Sequence, residues 1–193
     1  MQFPVHAASR MHMKQISTIF FGFIFTFLAA ATSAQMTPPT PAPELKKLDY
    51  FTSNWSSEAT IAPGPWGPGG KFSDTVTAEW MKGEFFLVSH SDFSMPMELG
   101  GTGTSLSILG YDADKKTYTQ ERFDSTGRHV VATGTLNGNT LTWVGENNYG
   151  GMTIRSRFTI RMISPTSYTL KYEVSSVGGA NWLPFWDGTA AKK

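Results

Sequence analysis

One short segment of this sequence has the residue types of nucleophilic catalysis. Ser89-His90-Ser91-Asp92 brings hydroxyls, an imidazole and a carboxylate within four residues of each other. Such catalysis requires the hydroxyl and its base to lie within hydrogen-bond reach. Successive residues of a strand point to opposite faces, so His90 and Asp92 share one face and the two serines take the other. The segment therefore indicates a strand end with hydrogen-bonded polar residues, and we assign no catalytic residue.

Metal ligands are scarce in the sequence. It has four histidines and no cysteine, which excludes disulfides, thiol nucleophiles and cysteine zinc sites. The histidines do not occur in the close pairs from which zinc sites are built. Asp112-Ala113-Asp114 begins like a calcium-binding loop, but the glycine and the final glutamate of such loops do not follow it. We predict no metal site and interpret this segment as a hairpin turn.

The overall charge argues against a nucleic-acid partner. The chain carries 16 basic and 15 acidic side chains, whereas nucleic-acid-binding domains have a marked positive excess. Arg155, Arg157 and Arg161 do form a basic stripe along one predicted strand. Acidic residues on adjacent strands are ordinary partners for such a stripe, so it indicates a solvated outer face.

The first 34 residues have the pattern of a secretory signal peptide. Arg10 and Lys14 precede an apolar run over residues 16–31, and small residues follow up to Ala34. The run is shorter than the roughly 20 residues that span a membrane, which favours cleavage over an uncleaved anchor. We predict cleavage after Ala34, with Ala31 as the alternative site. The mature chain, without a membrane span, is then expected to be periplasmic or secreted.

The mature chain divides into a linker and one domain. Residues 35–43 are Pro-rich and predict an extended linker. Residues 44–193 are enough for a single domain that buries a stable core without disulfides. Its first residues predict a short helix, because Leu45, Leu48 and Phe51 recur at three-residue spacing.

The rest of the domain alternates between apolar and polar residues, which is the period of β-strands. Between residues 152 and 162, every second side chain except Ser156 is apolar, and threonines and arginines lie between them. Asn137-Gly138-Asn139 predicts a hairpin turn, since these residues tolerate positive φ. Ten strands are predicted near residues 54–61, 73–80, 84–93, 104–111, 117–123, 128–135, 140–146, 151–162, 166–174 and 181–190.

Ten consecutive strands with short turns indicate an all-β fold built as an antiparallel meander. Exposed edge strands invite aggregation, and closure of the meander into a barrel removes them. A two-sheet sandwich is the alternative, but its Greek-key crossovers are longer than the simple hairpins that this sequence predicts. We therefore predict a closed barrel of about ten strands, with the short N-terminal helix at one end.

Six short segments of the domain together carry a family resemblance. They are Leu48-Asp49-Tyr50-Phe51-Thr52-Ser53-Asn54-Trp55, Gly69-Gly70-Lys71-Phe72, Glu79-Trp80-Met81, Phe85-Phe86-Leu87, Gly110-Tyr111-Asp112 and Asp124-Ser125-Thr126-Gly127. This pattern resembles the exported bacterial family catalogued as domain of unknown function 1579. The resemblance runs from about Leu48 to the C-terminus and brings no established activity. The family usually has glycine in place of Ser53 and a glycine pair in place of Lys82-Gly83, and these departures affect turns.

More distantly, the pattern is similar to the lipocalin-like barrels, the calycins. In these proteins a tryptophan opens the first strand after a short helix, as Trp55 does here, and a late arginine often packs across it. Arg155, Arg157 and Arg161 are the candidates for that arginine. The resemblance implies a barrel of this type with an internal cavity.

The same resemblance raises haem as an alternative ligand, because some ten-stranded barrels of this kind bind haem through one histidine. His90 and His129 are the candidates. A lone histidine on a strand is more often a hydrogen-bonded structural residue or an exposed one. The expectation is therefore that no cofactor is bound.

Two glycine-rich loops stand out, at residues 62–70 and 94–103. Neither has the Gly-Lys-Ser/Thr ending and following helix of a phosphate loop. Either loop can be a plain flexible connection, or the two can form the mouth of the barrel. In the second case Trp66, Met95 and Met97 are candidates for an adaptable apolar gate.

These features predict a protein that binds a small, largely apolar molecule in its barrel, rather than an enzyme. One alternative is an enzyme that uses the cavity, either hydrolase-like or haem-dependent. Another is an envelope protein-interaction module with a filled barrel and an exposed apolar patch. The candidate lining residues are Trp80, Phe86, His90, His129, Trp143, Phe158, Tyr168 and Tyr172.

Overall fold

A computed structural model of the chain describes residues 39–149, 152–175 and 181–193. The predicted signal peptide and residues 35–38 of the predicted linker lie outside these residues. The described part contains a 3-10 helix at Pro43–Phe51 and a three-residue 3-10 helix at Met97–Leu99. Its strands are β1 (Ser53–Ile61), β2 (Gly70–Trp80), β3 (Leu87–Ser94), β4 (Thr102–Asp112), β5 (Thr117–Asp124), β6 (His129–Asn137), β7 (Thr140–Tyr149), β8 (Met152–Ser164), β9 (Ser167–Ser175) and β10 (Leu183–Lys192).

These ten strands form one closed antiparallel barrel, which confirms the predicted fold class. Each strand pairs with its neighbours in sequence, from β1 with β2 to β9 with β10. β1 also pairs with β10, with Trp55 opposite Lys192 and Ile61 opposite Trp186, and this ladder closes the sheet. Because the strands follow one another by hairpins within a single sheet, the sandwich alternative is excluded. Closure leaves none of these strands with an edge that can pair with another chain.

Alternation along each strand decides which side chains enter the barrel. On β1, Trp55, Ala59 and Ile61 are buried, whereas Glu58 and Thr60 are exposed. This follows from the geometry of a strand, in which successive Cβ atoms point to opposite faces. The period-two pattern of the sequence is therefore the inside–outside pattern of the barrel.

The basic stripe of β8 lies on the outer face, and two of its three arginines pair with acids. Arg155 Nε lies 3.6 Å from Glu146 Oε1 of β7, and Arg157 Nε lies 2.7 Å from Glu173 Oε2 of β9. The hydrogen bond from Arg157 holds the pKa of the Glu173 carboxyl below its ordinary value. The stripe therefore stabilises the outer surface of the sheet.

The N-terminal 3-10 helix closes one end of the barrel. Three residues per turn suit the three-residue spacing of Leu45, Leu48 and Phe51, which is why the predicted short helix is of the 3-10 type. Leu45 and Leu48 are 4% and 1% exposed and belong to the main core cluster. The hydroxyl of Tyr118 on β5 donates to the carbonyl oxygen of Glu44 at 3.0 Å. The helix is thus held by both apolar packing and a hydrogen bond.

Trp55 is buried at this closed end, where it opens the first strand. Its ring centroid lies 4.7 Å from that of Tyr168, and its indole N–H donates to the carbonyl oxygen of Phe51 at 3.2 Å. The cation over its ring is Lys192, whose Nζ lies 5.5 Å from the ring centroid. The expectation of an arginine from β8 at this place is wrong. Those arginines are on the outer face, whereas the β1–β10 register puts Lys192 opposite Trp55.

Candidate functional site

The barrel is packed at its closed end and hollow beyond it. The hollow is a cavity of about 450 Å³, a volume typical of small-molecule sites. Leu45 and Leu48 of the N-terminal helix fill the closed end, whereas most other residues of the main core cluster, together with six serines, line the cavity. Residues from all ten strands line the cavity.

One side of the cavity is an aromatic wall centred on Trp186. The Trp186 ring stacks on Phe72, with 5.0 Å between centroids, and on Tyr172, with 5.4 Å, and both pairs are nearly parallel at 11°. Phe158 packs against the same indole with 5.4 Å between centroids. The aromatic wall consists of Phe72, Trp143, Phe158, Tyr172, Phe185 and Trp186.

A bulge in β10 adds a residue to the aromatic wall. The pairing of β10 with β9 shifts register between Pro184 and Trp186. A bulge inserts an extra residue and re-aims side chains, so Phe185 and Trp186 both line the cavity although they are adjacent in sequence. Neither is among the residues predicted from the sequence, because strict alternation does not show where a bulge occurs.

Another side of the cavity is a polar wall, formed mainly by β2 to β5. The hydroxyls of Ser91 and Ser105 are hydrogen-bonded at 2.8 Å. The Asp124 carboxylate accepts from Arg128, with 2.8 Å between Nε and Oδ2. The polar wall consists of Ser57, Asp74, Ser89, Ser91, Ser105, Ser107, Gln120, Arg122, Asp124 and Arg128.

Asp74 is the titratable group of the polar wall that the fold perturbs most. Burial raises the pKa of its carboxyl to about 6, while the charge of Arg122 and the hydroxyl of Ser91 act in the opposite direction. Its Oδ1 atom is buried and has no hydrogen-bond partner among the described residues. Asp74 therefore changes its charge in a pH range where ordinary aspartates stay ionised.

Residues of both glycine-rich loops line the cavity at the end of the barrel away from the N-terminal helix. Trp66 packs edge-on against Phe185, with 4.9 Å between centroids, and its indole N–H donates to the carbonyl oxygen of Ala62 at 2.8 Å. Met95 also lines the cavity. Met97 is 83% exposed and lies outside the lining. The structure thus brings two of the three candidate gate residues to the cavity, and their gating role stays a prediction.

The predicted lining residues divide into two groups. Four face the cavity, namely Trp143, Phe158, Tyr168 and Tyr172. Trp80 instead packs on the main core cluster at the closed end, where its indole N–H donates to the Asp49 carboxylate at 2.8 Å. Phe86 is 45% exposed, because β3 begins only at the fully buried Leu87 and alternation turns the preceding residue outward.

Both candidate histidines lie on the outer face of the barrel. His90 is exposed, and its neighbours Ser89 and Ser91 line the cavity instead, as alternation predicts. His129 is exposed and stacks on the outward-facing ring of Phe123, with 4.5 Å between centroids. The haem alternative therefore has no histidine ligand for iron within the part of the cavity that the described residues form.

The described residues contain neither a metal-binding cluster nor a membrane-spanning helix. Among them, no group of three or more His, Asp or Glu is arranged to hold a metal ion. No helix in the described ranges is long and apolar enough to cross a membrane. A second hollow of about 430 Å³ is an open groove on the outer face of β2 to β5, beside His90 and Asp92.

A closed ten-stranded meander around an internal cavity, with a short helix at one end, defines a lipocalin-like barrel protein. The chain belongs to the family described as Protein of unknown function (DUF1579), whose model matches residues 40–191. The family resemblance of the sequence is thereby confirmed. A search of the curated proteins finds no match.

Two solved structures are similar to the barrel. Rv2717c from M. tuberculosis has a TM-score of 0.55 and 11% identity, and 79% of this chain and 99% of that chain are covered. The S-type phycobiliprotein lyase CPES from Guillardia theta has a TM-score of 0.49 and 12% identity, with 77% of this chain and 91% of that chain covered. At 11% identity the likeness to Rv2717c shows the fold alone.

Proposed function

We propose that this protein binds a small, largely apolar molecule inside its barrel. The observation that carries the proposal is the cavity of about 450 Å³ beyond a well-packed closed end. Protein interiors are normally close-packed, with few voids larger than a water molecule. Side chains around an empty cavity lose packing contacts, and a bound apolar molecule restores them.

The aromatic wall supports a ligand with a flat, ring-containing body. Trp186 already stacks between Phe72 and Tyr172, which fixes the orientation of its indole. Aromatic rings stabilise one another in offset-stacked and edge-to-face arrangements beyond the effect of buried area alone. A ring system entering the cavity finds such partners ready in place.

The alternatives fit the cavity less well. An enzyme of the predicted kind needs His90 or His129 beside a carboxylate inside the barrel, and both histidines lie outside. A protein-interaction module needs a filled barrel, and this barrel is hollow. Both observations favour a binding protein.

We also propose that the protein acts outside the cytoplasm, because residues 1–34 have the pattern of a signal peptide. Both proposals can be tested together by native mass spectrometry. The full chain is expressed in a Gram-negative host and purified from the periplasm without denaturation. The expected mass is that of a chain starting at Gln35, with a stoichiometric extra mass that solvent extraction removes.

Two outcomes would count against these proposals. A mass that includes residues 1–34 contradicts cleavage after Ala34. A chain that carries no extra mass, and whose extracted form does not bind the neutral apolar dye N-phenylnaphthylamine, contradicts binding in the barrel.

A further inference from the structure

Arg122 lies in the middle of the polar wall. In the register of the sheet it is opposite Ser107 of β4 on one side and Val130 of β6 on the other. Ser89 of β3 continues the same row beyond Ser107. These neighbours are small or apolar, so the row leaves room for the long arginine side chain and gives it no acidic partner.

The two arginines of the polar wall differ in their pairing. Arg128 is neutralised by Asp124, with 2.8 Å between Nε and Oδ2. Arg122 forms no ion pair with any carboxylate of the described residues, and Asp74 acts on it only through space. Arg122 therefore brings a positive charge to the cavity wall that no direct contact cancels.

Arg122 and Asp74 respond differently to an anionic ligand and to a cationic ligand. The guanidinium of Arg122 cannot lose its proton in a protein, so a cationic ligand would always meet its repulsion. The carboxyl of Asp74 has a pKa of about 6 and can take up a proton when a second negative charge enters the cavity. Protonation of Asp74 can thus relieve its repulsion of an anion, whereas the repulsion between Arg122 and a cation cannot be relieved in this way.

We propose that the ligand of this cavity is a lipophilic acid, with a ring-containing apolar body on the aromatic wall and an anionic head group bound by Arg122. This inference rests on the proposed function and specifies the class of ligand. Guanidinium groups bind carboxylate, sulfonate and phosphate oxygens through paired, charge-assisted hydrogen bonds. The polar wall supplies serine hydroxyls around the same position.

Binding of such an anion is coupled to proton uptake by Asp74. The bound negative charge raises the pKa of Asp74 further, so the complex holds more protons than the free protein. Affinity therefore rises as the pH falls from about 8 towards about 6 and levels off below the pKa of the free protein. The charged and titratable groups that act on Asp74 are Arg122 of β5, Asp92 of β3 and Tyr168 of β9, and Glu98, Asp124 and Arg128 also line the cavity.

A matched pair of dyes tests the inference. Anilinonaphthalene sulfonate and N-phenylnaphthylamine share one aromatic body, and only the first carries an anionic group. The wild-type barrel is expected to bind both, and Arg122→Gln to lower the affinity for the sulfonate roughly tenfold while changing that for the neutral dye less than about twofold. Arg161→Gln, an exposed outer-face change, is the control and leaves both affinities unchanged.

The pH profile of the wild type gives a second reading that needs no variant at Arg122. A sulfonate stays ionised throughout the range, so any pH dependence belongs to the protein. The affinity of the wild type for the sulfonate, relative to that for the neutral dye, is expected to rise with falling pH. The Asp74→Asn variant is expected to show a flatter rise. Equal effects of Arg122→Gln on both dyes, or a flat wild-type profile, would overturn the inference while leaving the proposed function intact. Failure of both dyes to bind the wild type would overturn the two together.

Discussion

At the scale of single residues, the buried carboxyl of Asp74 lowers the stability of the folded protein. Burial raises the pKa of its carboxyl to about 6 in the folded protein, well above its ordinary value. The carboxyl binds its proton more tightly in the folded state than in the unfolded state. The free energy of unfolding therefore falls as the pH rises from the unfolded-state pKa to the folded-state pKa. At neutral pH the folded protein therefore keeps a charge that its surroundings disfavour.

Replacing this carboxyl with a neutral group should stabilise the protein, but only at a pH at which the carboxyl is ionised. Asp74→Asn is expected to raise the free energy of unfolding by roughly 2 kcal/mol at about pH 8. The gain should shrink as the pH falls from about 6 to about 4 and vanish below that, where the wild-type carboxyl is protonated in both the folded and the unfolded state. Urea denaturation at about pH 8 and about pH 4 measures this gain, and the exposed Asp187→Asn is the control. A gain of the same size at both pH values would show that burial of the charge is not its cause.

The interior charges could not be predicted from the sequence. Both faces of β5 carry polar residues, since Gln120 and Arg122 point inward while Glu121 points outward. Alternation then gives no sign of which face is inside. Phe158 and Tyr172 were predictable because each lies between two polar residues on its strand, and Trp143 because it continues the Thr-Leu-Thr alternation of β7. No pattern in the sequence distinguishes polar residues that line a cavity from polar residues on the outer face.

At the scale of elements, the N-terminal 3-10 helix acts as the plug of the closed end. A nine-residue 3-10 helix of three turns cannot persist on its own, so it depends on the residues that it buries. Leu45 and Leu48 enter the main core cluster, and Tyr50 places its hydroxyl 2.8 Å from the carbonyl oxygens of Ser164 and Ser167 in the β8–β9 turn. The plug thus ties the start of the domain to hairpins that are distant in sequence.

Leu48 is expected to be the main anchor of this plug. Leu48→Ala should lower the free energy of unfolding by about 2–5 kcal/mol, because it leaves a void where the side chain is 1% exposed. Lys47→Ala changes an exposed neighbour on the same helix and should alter stability by less than about 0.5 kcal/mol. Urea titrations of the two variants give the comparison. Equal stability of both would mean that the helix does not contribute to the core.

Element boundaries followed from alternation and turn residues, and the departures have local causes. β3 begins at Leu87 rather than near residue 84, because residues 81–86 form a turn closed by the Met81 N–H bond to the Phe86 carbonyl. Glu84 has positive φ within that turn, which a strand residue does not adopt. The bulge at Pro184–Trp186 is likewise invisible to a strict period of two.

At the scale of the whole molecule, closure and hollowness have different origins. Closure follows from nine consecutive antiparallel strand pairings and the β1–β10 ladder, and the sequence pattern predicts it. Whether the barrel contains a cavity depends on whether its inward-facing side chains together fill the interior. The alternation of the sequence shows which side chains face inward but not the volume that they leave free. Ser89, Ser105 and Ser107 face inward where larger side chains would close the cavity. Alternation alone therefore does not predict the cavity, which the resemblance to lipocalin-like barrels implies and the structure shows.

Filling the cavity from within is the most direct test that the barrel is a binding site. Titration of N-phenylnaphthylamine is followed by fluorescence in the wild type, in Ser107→Phe and in Thr135→Phe. Ser107 is a buried lining residue, and Thr135 is an exposed residue of the outer face. The wild type and Thr135→Phe are predicted to bind one dye per barrel, and folded Ser107→Phe to bind it at least about tenfold more weakly. Equal binding by all three proteins, or no binding by the wild type, would contradict the account.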